Sequence, residues 1–96
     1  MPTYISGPMT GKPDLNFPAF AAKATELRAA GIEVVNPAEI THIDGATWAD
    51  YMRRDIVELM RCDAIHMLPG WGESKGARLE FWIAYQLGMR IEGALE

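Results

Sequence analysis

The chain has 96 residues, a net charge of −4 and one cysteine, Cys62. This length predicts a single domain over residues 1–96, with the composition of a folded chain. The acidic charge argues against binding polymeric nucleic acid, and one cysteine excludes an intrachain disulfide or cysteine-based metal cluster. We find no signal peptide and no run of the ~18–20 apolar residues that a membrane span needs, so we expect a cytoplasmic protein without membrane contact.

The first half of the chain predicts two strands around one helix. Thr3–Ser6 is a short β-prone run, and Met9–Leu15 contains loop residues. Asn16 is expected to cap a helix that runs to Ala30 and stops at Gly31. Ile32–Asn36 is then the second strand.

The second half predicts two more helices and two more strands. Thr47 followed by Asp50 resembles a capping box, and Ser74 is a plausible cap for a later helix. An unbroken apolar run between the helices suits a strand covered on both faces. The expected elements are a helix over Thr47–Arg61, a strand over Asp63–Leu68, a helix over Ser74–Gly88 and a strand over Met89–Ala94.

Strands that alternate with helices predict a parallel sheet. We expect a three-layer α/β fold of the flavodoxin or Rossmann type, with three helices and four strands in the order 2-1-3-4. Ligands of such sheets bind beyond the carboxyl ends of the strands, where the strand order reverses. The loops after strands one and three would meet there, and both are rich in glycine: Ser6–Gly11 and Pro69–Ala77. Both could equally be tight turns, and neither matches a P-loop or a GxGxxG fingerprint.

Two carboxylates stand out because the helical pattern turns them inward. Glu80 shares a face with the small residues Ala77 and Ala84, although it could instead pair with Arg78 or Lys75. The start of its helix favours an anion, which could be a phosphate or the carboxylate of a neighbouring Glu.

Asp55 falls in the middle of an apolar stripe, so it needs a polar cavity, an N–H donor or an arginine partner. Tyr4 could fill the core with its hydroxyl at the rim. Trp71 could be a lid that stacks on a flat ring or a plug over the sheet edge. His42 and His66 have no ligand spacing, so we expect no metal and no cofactor, and His66 should be a satisfied core residue.

Several motifs spread over nearly the whole chain resemble a small phage and bacterial family that is similar to nucleoside 2-deoxyribosyltransferases. The motifs are Tyr4–Gly11, Asn36-Pro37, Cys62–Ala64, Leu68–Trp71 and Ser74–Glu80.

The resemblance implies that Glu80 attacks the anomeric carbon of a 2-deoxynucleoside, that Tyr4 helps to hold Glu80, and that Asp55 handles the base. Asp55 would protonate the leaving base if burial raises its pKa. Related deoxynucleotide N-hydrolases carry a Ser-x-Gly sequence that holds the 5′-phosphate, which implies this role for Ser74 and Gly76. The small-molecule substrate would then be a nucleoside or its 5′-monophosphate. The expected substrate-binding residues are Ser6, Gly7, Pro8, Gly70, Trp71, Ser74, Gly76 and Ala77.

Two other interpretations stay open: a non-catalytic nucleotide-binding or sensing module, and a structural or partner-binding protein. The last predicted helix also has a second apolar face with Trp82, Tyr85 and Met89. A chain this short should not leave that face in water, so we expect a homo-oligomer.

Overall fold

A computed structural model describes residues 2–40 and 43–94. The chain forms a parallel sheet of four strands in the order β2-β1-β3-β4, which confirms the predicted α/β fold and strand order. None of the helices within these residues is long and apolar enough to cross a membrane. The strands are β1 (Thr3–Ser6), β2 (Val34–Val35), β3 (Ala64–Met67) and β4 (Arg90–Glu92), and the helices are α1 (Phe17–Ala29), α2 (Trp48–Leu59) and α3 (Lys75–Gln86).

Capping side chains set the starts of α2 and α3 as predicted. Asp50 and Thr47 form the reciprocal capping box, with N–H to oxygen distances of 3.2 and 2.9 Å. The Ser74 hydroxyl accepts a hydrogen bond from the Ala77 N–H at 3.2 Å. The N-terminus of each of these helices is therefore fixed where the helix follows a loop at the edge of the sheet.

β2 is shorter than the predicted Ile32–Asn36. The first predicted residue, Ile32, is bound to the end of α1 instead, because its N–H donates to the Leu27 carbonyl at 3.0 Å. Its last residue starts a turn instead, since the Asn36 side chain accepts from the Ala38 N–H at 3.0 Å. Local hydrogen bonds at both ends thus leave a two-residue strand.

The segment before α1 differs from the expected loop, because it forms a tight turn over Pro13–Asn16. Asp14, Leu15 and Asn16 have φ values of 51°, 53° and 62°. Left-handed backbone costs an L-residue roughly 1–2 kcal/mol, so this turn is strained. Asn16 does stand at the predicted cap position, but its amide donates to the Pro8 carbonyl at 2.9 Å instead of capping the helix.

The helices cover opposite faces of the sheet. α1 packs Phe20 and Ala24 on one face, against Ile5 and Leu68. α2 and α3 cover the other face, and alternation along β1 turns every second side chain toward them. The apolar cluster on that face contains the buried residues Tyr4, Leu59, Cys62, Ile65, Met67, Ala77 and Ala84.

Candidate active site

Glu80 lies inside the domain and is held by two hydroxyl groups of β1. Its side chain is on the inner face of α3, and the residue is 6% exposed. The Tyr4 hydroxyl donates to Oε2 at 2.6 Å, and the Ser6 hydroxyl donates to Oε1 at 2.7 Å. Because residues two apart share a face of a strand, one short strand supplies both donors. The Glu80 carboxyl is therefore fixed by Tyr4, as the resemblance implied, and by Ser6 as well.

The environment of Glu80 favours its neutral form. Burial raises the pKa of Glu80 to about 7, and the negative charge of Asp55 acts in the same direction. The two hydroxyl donors oppose this because they stabilise the carboxylate. Burial and then the Glu80 charge raise the pKa of Tyr4 well above its ordinary value, so Tyr4 remains a donor. Near neutral pH, Glu80 is therefore partly protonated and partly ionised, and the ionised form is the nucleophilic one.

A cavity of about 990 Å³ opens beside Glu80 at the carboxyl ends of β1 and β3. Its volume lies at the upper end of the roughly 300–1,000 Å³ that small-molecule sites occupy. The two glycine-rich segments and α2 all contribute to its wall, so the structure brings the predicted residues together. Those lining it are Tyr4, Ser6, Gly7, Pro8, Asp55, Gly70, Ser74, Gly76, Ala77 and Glu80.

Two glycines of the cavity wall allow close packing. A Cβ atom on Gly7 would stand 2.8 Å from the Cβ of Leu68, so a larger residue would push the two switch-point loops apart. A Cβ atom on Gly76 would stand 3.1 Å from the Met52 sulfur, which limits how close α3 can come to α2. Gly7 therefore lets the two loops lie close together, and Gly76 lets α3 lie close to Met52 of α2.

The start of α3 forms one end of the cavity. The Ala77 N–H donates to the Ser74 hydroxyl, while Ala77 itself lines the cavity, and its expected contact with a substrate stays a prediction. The Lys75 and Gly76 N–H groups belong to the first turn of the helix, which has no intrahelical acceptor. The Lys75 ammonium lies 4.1 Å from the ring centre of Trp48 on α2, and both side chains line the cavity.

Asp55 also lines the cavity, but it has a partner. The guanidinium of Arg54 donates from Nε and Nη2 to the same Asp55 oxygen, at 3.1 and 3.0 Å. Burial raises the pKa of Asp55, while the hydrogen bond and charge of Arg54 lower it. Two of the expected environments of Asp55 are therefore both present: an arginine partner and a cavity with polar groups.

Trp71 is not among the residues that line the cavity, and its expected contact with a substrate stays a prediction. The indole stacks on Phe81 of α3 with ring centres 4.6 Å apart, and its N–H donates to the Ala94 carbonyl at 3.1 Å. These contacts with α3 and with the segment after β4 hold the indole outside the cavity wall. Its backbone neighbour Gly70 and the nearby Glu73 line the cavity instead.

Sequence patterns missed several side chains of the cavity wall. Arg54 was hidden because neighbouring helix residues point about 100° apart on an ideal helical wheel, which placed it on the outer face. Lys75 lies between two residues of the Ser-x-Gly motif, and this position was its one available signal. Others that line the cavity are Lys12, Leu15, Phe17, Trp48, Tyr51 and Met52.

No group of three or more His, Cys, Asp or Glu residues within 2–40 and 43–94 could hold a metal ion. His42 lies outside the described residues. His66 differs from the satisfied core residue that we expected, because its buried Nδ1 has no hydrogen-bond partner among the described residues. Glu92 Oε1, at 3.7 Å, is too far for a hydrogen bond.

These features define a parallel α/β domain with a buried carboxylate in a ligand-sized cavity at the switch point of its sheet. The chain belongs to the family described as domain of unknown function DUF4406, whose model matches residues 1–92. No curated protein matches the chain.

Proposed function

We propose that this protein cleaves or transfers at the N-glycosidic bond of a 2-deoxynucleoside or its 5′-monophosphate. The observation that carries the proposal is the Glu80 carboxyl, buried in a cavity and held through both oxygens by Tyr4 and Ser6. A carboxylate held in this way can stabilise the positive charge that develops at a glycosidic carbon. The resemblance to nucleoside 2-deoxyribosyltransferases gives the same residue the same role.

The proposed reaction has two steps. A Glu80 oxygen bonds to the anomeric carbon while the bond to the base nitrogen breaks, and the base leaves with that electron pair. Asp55, whose pKa is raised by burial, supplies or relays the proton that the leaving base takes up. Water or a second base then attacks the same carbon and loses a proton, which releases the Glu80 carboxylate. Attack by water gives hydrolysis, and attack by a second base gives transfer.

The walls of the cavity suggest how such a substrate would lie. The sugar would rest against Glu80 and Tyr4, with the base toward α2, where Asp55 can form hydrogen bonds with it. The 5′ end would then reach the first turn of α3. The Lys75 charge, the Gly76 N–H and the positive end of the helix dipole all favour a phosphate there.

The direct test is release of free base from a panel of 2-deoxynucleosides and their 5′-monophosphates, followed by chromatography with and without an acceptor base. We expect Glu80→Gln to lower the rate by at least about 10³-fold, because the amide cannot form the covalent bond. The matched control is Glu26→Gln, which changes an exposed glutamate of α1 and should leave the rate unchanged.

The possible outcomes separate the three interpretations. A wild-type protein that binds members of the panel but releases no base would be a sensing module. A protein that binds none of them would favour a structural or partner-binding role. Base release that survives Glu80→Gln would remove Glu80 as the nucleophile.

We also propose that the protein is a homo-oligomer that covers part of α3. Trp82 and Tyr85 are 57% and 60% exposed, and their rings stack with centres 6.1 Å apart. Met89, expected on the same surface, instead packs against the core beside Ile91. Light scattering at micromolar concentration should give a multiple of the chain mass, and Trp82→Glu should reduce it. A wild-type monomer would contradict the proposal.

A further inference from the structure

The strand β4 forms one edge of the sheet, because among residues 2–40 and 43–94 it pairs with β3 alone. The Arg90 N–H donates to the Asp63 carbonyl at 3.0 Å, so the backbone polar groups of Arg90 face β3. The backbone groups of successive strand residues point to opposite sides, so those of Ile91 face away from the sheet. Outward groups of this kind are a template on which another strand can add.

The opposite edge of the sheet, at β2, is covered by a charged side chain. The Thr3 N–H donates to the Glu33 carbonyl at 2.8 Å, so by the same alternation the Val34 carbonyl faces outward. Arg28 donates from Nη2 to that carbonyl at 3.3 Å, and Glu39 holds the guanidinium through two hydrogen bonds of 2.8 Å. Charged side chains placed on an edge oppose strand addition, so β2 is protected.

The sequence of β4 is complementary to itself. Its three residues are a cation, an apolar residue and an anion: Arg90, Ile91 and Glu92. In an antiparallel pair centred on Ile91, the two Ile91 residues exchange both backbone hydrogen bonds, and Arg90 of each copy lies opposite Glu92 of the other. Opposite charges at such positions stabilise the pairing of strands. Within one copy Arg90 and Glu92 form an ion pair at 3.2 Å, and their side chains are 59% and 37% exposed, so both can reach a second copy.

The exposed aromatic rings of α3 lie on the same side of that helix as β4. Tyr85 stacks on Phe81 with ring centres 6.2 Å apart, and Phe81 stacks on Trp71. The Trp71 N–H bonds to the Ala94 carbonyl, just after β4, and Trp82 continues the row beyond Tyr85. A second copy paired with β4 brings its own α3 to the same face of the joined sheet, where it covers these exposed rings.

We propose that two copies of this chain pair antiparallel through β4 about a two-fold axis at Ile91, which joins their four-stranded sheets into one continuous sheet. The axis makes the contact identical from both sides, as in closed dimers generally. The inference rests on the homo-oligomer proposed above and names its interface. It does not depend on cleavage of a glycosidic bond.

The first experiment measures the dissociation constant of the dimer by sedimentation or light scattering over a dilution series. Arg90→Glu places like charges opposite each other and should weaken the dimer about tenfold or more. The double variant Arg90→Glu/Glu92→Arg exchanges the two charges, so it should restore an affinity near that of wild type. Arg28→Glu is the matched control, because it makes the same charge change and breaks an exposed ion pair at the β2 edge. A dimer that Arg90→Glu leaves intact, or that the double variant does not restore, would overturn the proposal.

The second experiment tests the register with cysteines. When Arg90→Cys and Glu92→Cys proteins are mixed under mild oxidation, they should form a disulfide between chains, because directly opposite Cα atoms lie about 4.5 Å apart. Either variant alone should cross-link much less, since its two cysteines would be roughly 8 Å apart, beyond the reach of a disulfide. The wild type, whose single thiol Cys62 is buried, is the control. Equal cross-linking of each variant alone and of the mixture would overturn the pairing.

The outcomes distinguish this inference from the earlier proposals. A monomeric wild type would refute the homo-oligomer and the β4 pairing together. A dimer that dissociates in Trp82→Glu but not in Arg90→Glu would refute the β4 pairing and keep the homo-oligomer. Release of base by the same variants tests cleavage separately, because Arg90 and Glu92 are not among the residues that line the cavity.

Discussion

The two faces of the central sheet are built for different purposes, although they share the same strands. Toward α1, Ile5 meets Phe20, Ala24 and Leu68 in a small apolar core. Toward α3, the neighbours of Ile5 on β1 are Tyr4 and Ser6, which hold a buried carboxyl group. One residue step along a strand therefore separates a side chain that stabilises the fold from one that holds a candidate nucleophile.

The buried polar groups on the face toward α3 lower the stability of the fold. Burying Glu80 disfavours its charge, and the hydroxyl donors of β1 recover only part of this. The same face also holds the larger apolar cluster, and the contacts within that cluster offset part of this penalty. Substitutions on the two faces should separate stability from activity.

The largest stability effect should come from Phe20 on the apolar face, which is 1% exposed. Phe20→Ala should lower the free energy of unfolding by about 3–5 kcal/mol, because it leaves a cavity under α1. Denaturant unfolding measures this, with Phe17→Ala as a control at a position that is 41% exposed. If both substitutions cost the same, the core of this face would lie elsewhere.

The next effect should be a pH-dependent loss of stability that Glu80 causes. The folded-state pKa of Glu80 is about 7 against an ordinary value of 4.5, so the folded state holds the additional proton between these values. The free energy of unfolding should therefore fall by roughly 3 kcal/mol from this group as the pH rises through that window, and stay level above it.

Glu80→Gln should remove this contribution and gain stability relative to wild type as the pH rises from 5 to 8. Parallel unfolding of wild type, Glu80→Gln and Glu26→Gln at both pH values isolates it. If cleavage occurs, its rate should likewise rise with pH below about 7 and level off above, because the carboxylate is the nucleophile. A Glu80→Gln protein with the same pH dependence as wild type would contradict the raised pKa.

A smaller effect should follow Tyr4→Phe, which deletes the donor at 2.6 Å from Glu80 and keeps the ring. The loss of one buried hydrogen bond should cost about 1–3 kcal/mol. It should also raise the pKa of Glu80 further, because Tyr4 lowers it, and so move any pH–rate curve to higher pH. Tyr85→Phe, at an exposed hydroxyl on the same helix as Glu80, should change neither quantity.

The smallest effect should be a gain in stability from Leu15→Asn. Leu15 is 50% exposed with a φ of 53°, and asparagine tolerates left-handed backbone better than leucine. We expect the free energy of unfolding to rise by up to about 1 kcal/mol. Leu87→Asn is the control, because Leu87 is also exposed but has a φ of −94°. A loss at position 15 would show that the leucine side chain packs more than its exposure indicates.

The sequence was sufficient for the strand order, the caps of α2 and α3, and the inward direction of Glu80, because each has a local or periodic signal. Ser74 and Thr47 cap as their side chains predict, and small residues mark the inner face of α3. The features that the sequence could not show depend on contacts with residues that are distant in the chain. Trp71 turns toward Phe81 and Ala94, and Ser6 reaches Glu80 across 74 positions.

Arg54 shows a different difficulty. Its position on the helix gives the direction of the Cα–Cβ bond, but a long flexible side chain can return toward a neighbouring carboxylate. The left-handed turn before α1 also had no signal, since Asp14 and Leu15 are not glycines. Both features lie beside the cavity, where local preferences commonly yield to function.

The stacking of Trp71 on Phe81 has a consequence for optical measurements. Trp48 contacts Lys75 in the cavity wall, Trp71 is joined to the segment after β4, and Trp82 lies on the exposed surface of α3. The three indoles therefore report on three separate regions. Ligand entry should alter the emission of Trp48, self-association that of Trp82, and docking of the last strand that of Trp71, so single-tryptophan variants would make each event visible on its own.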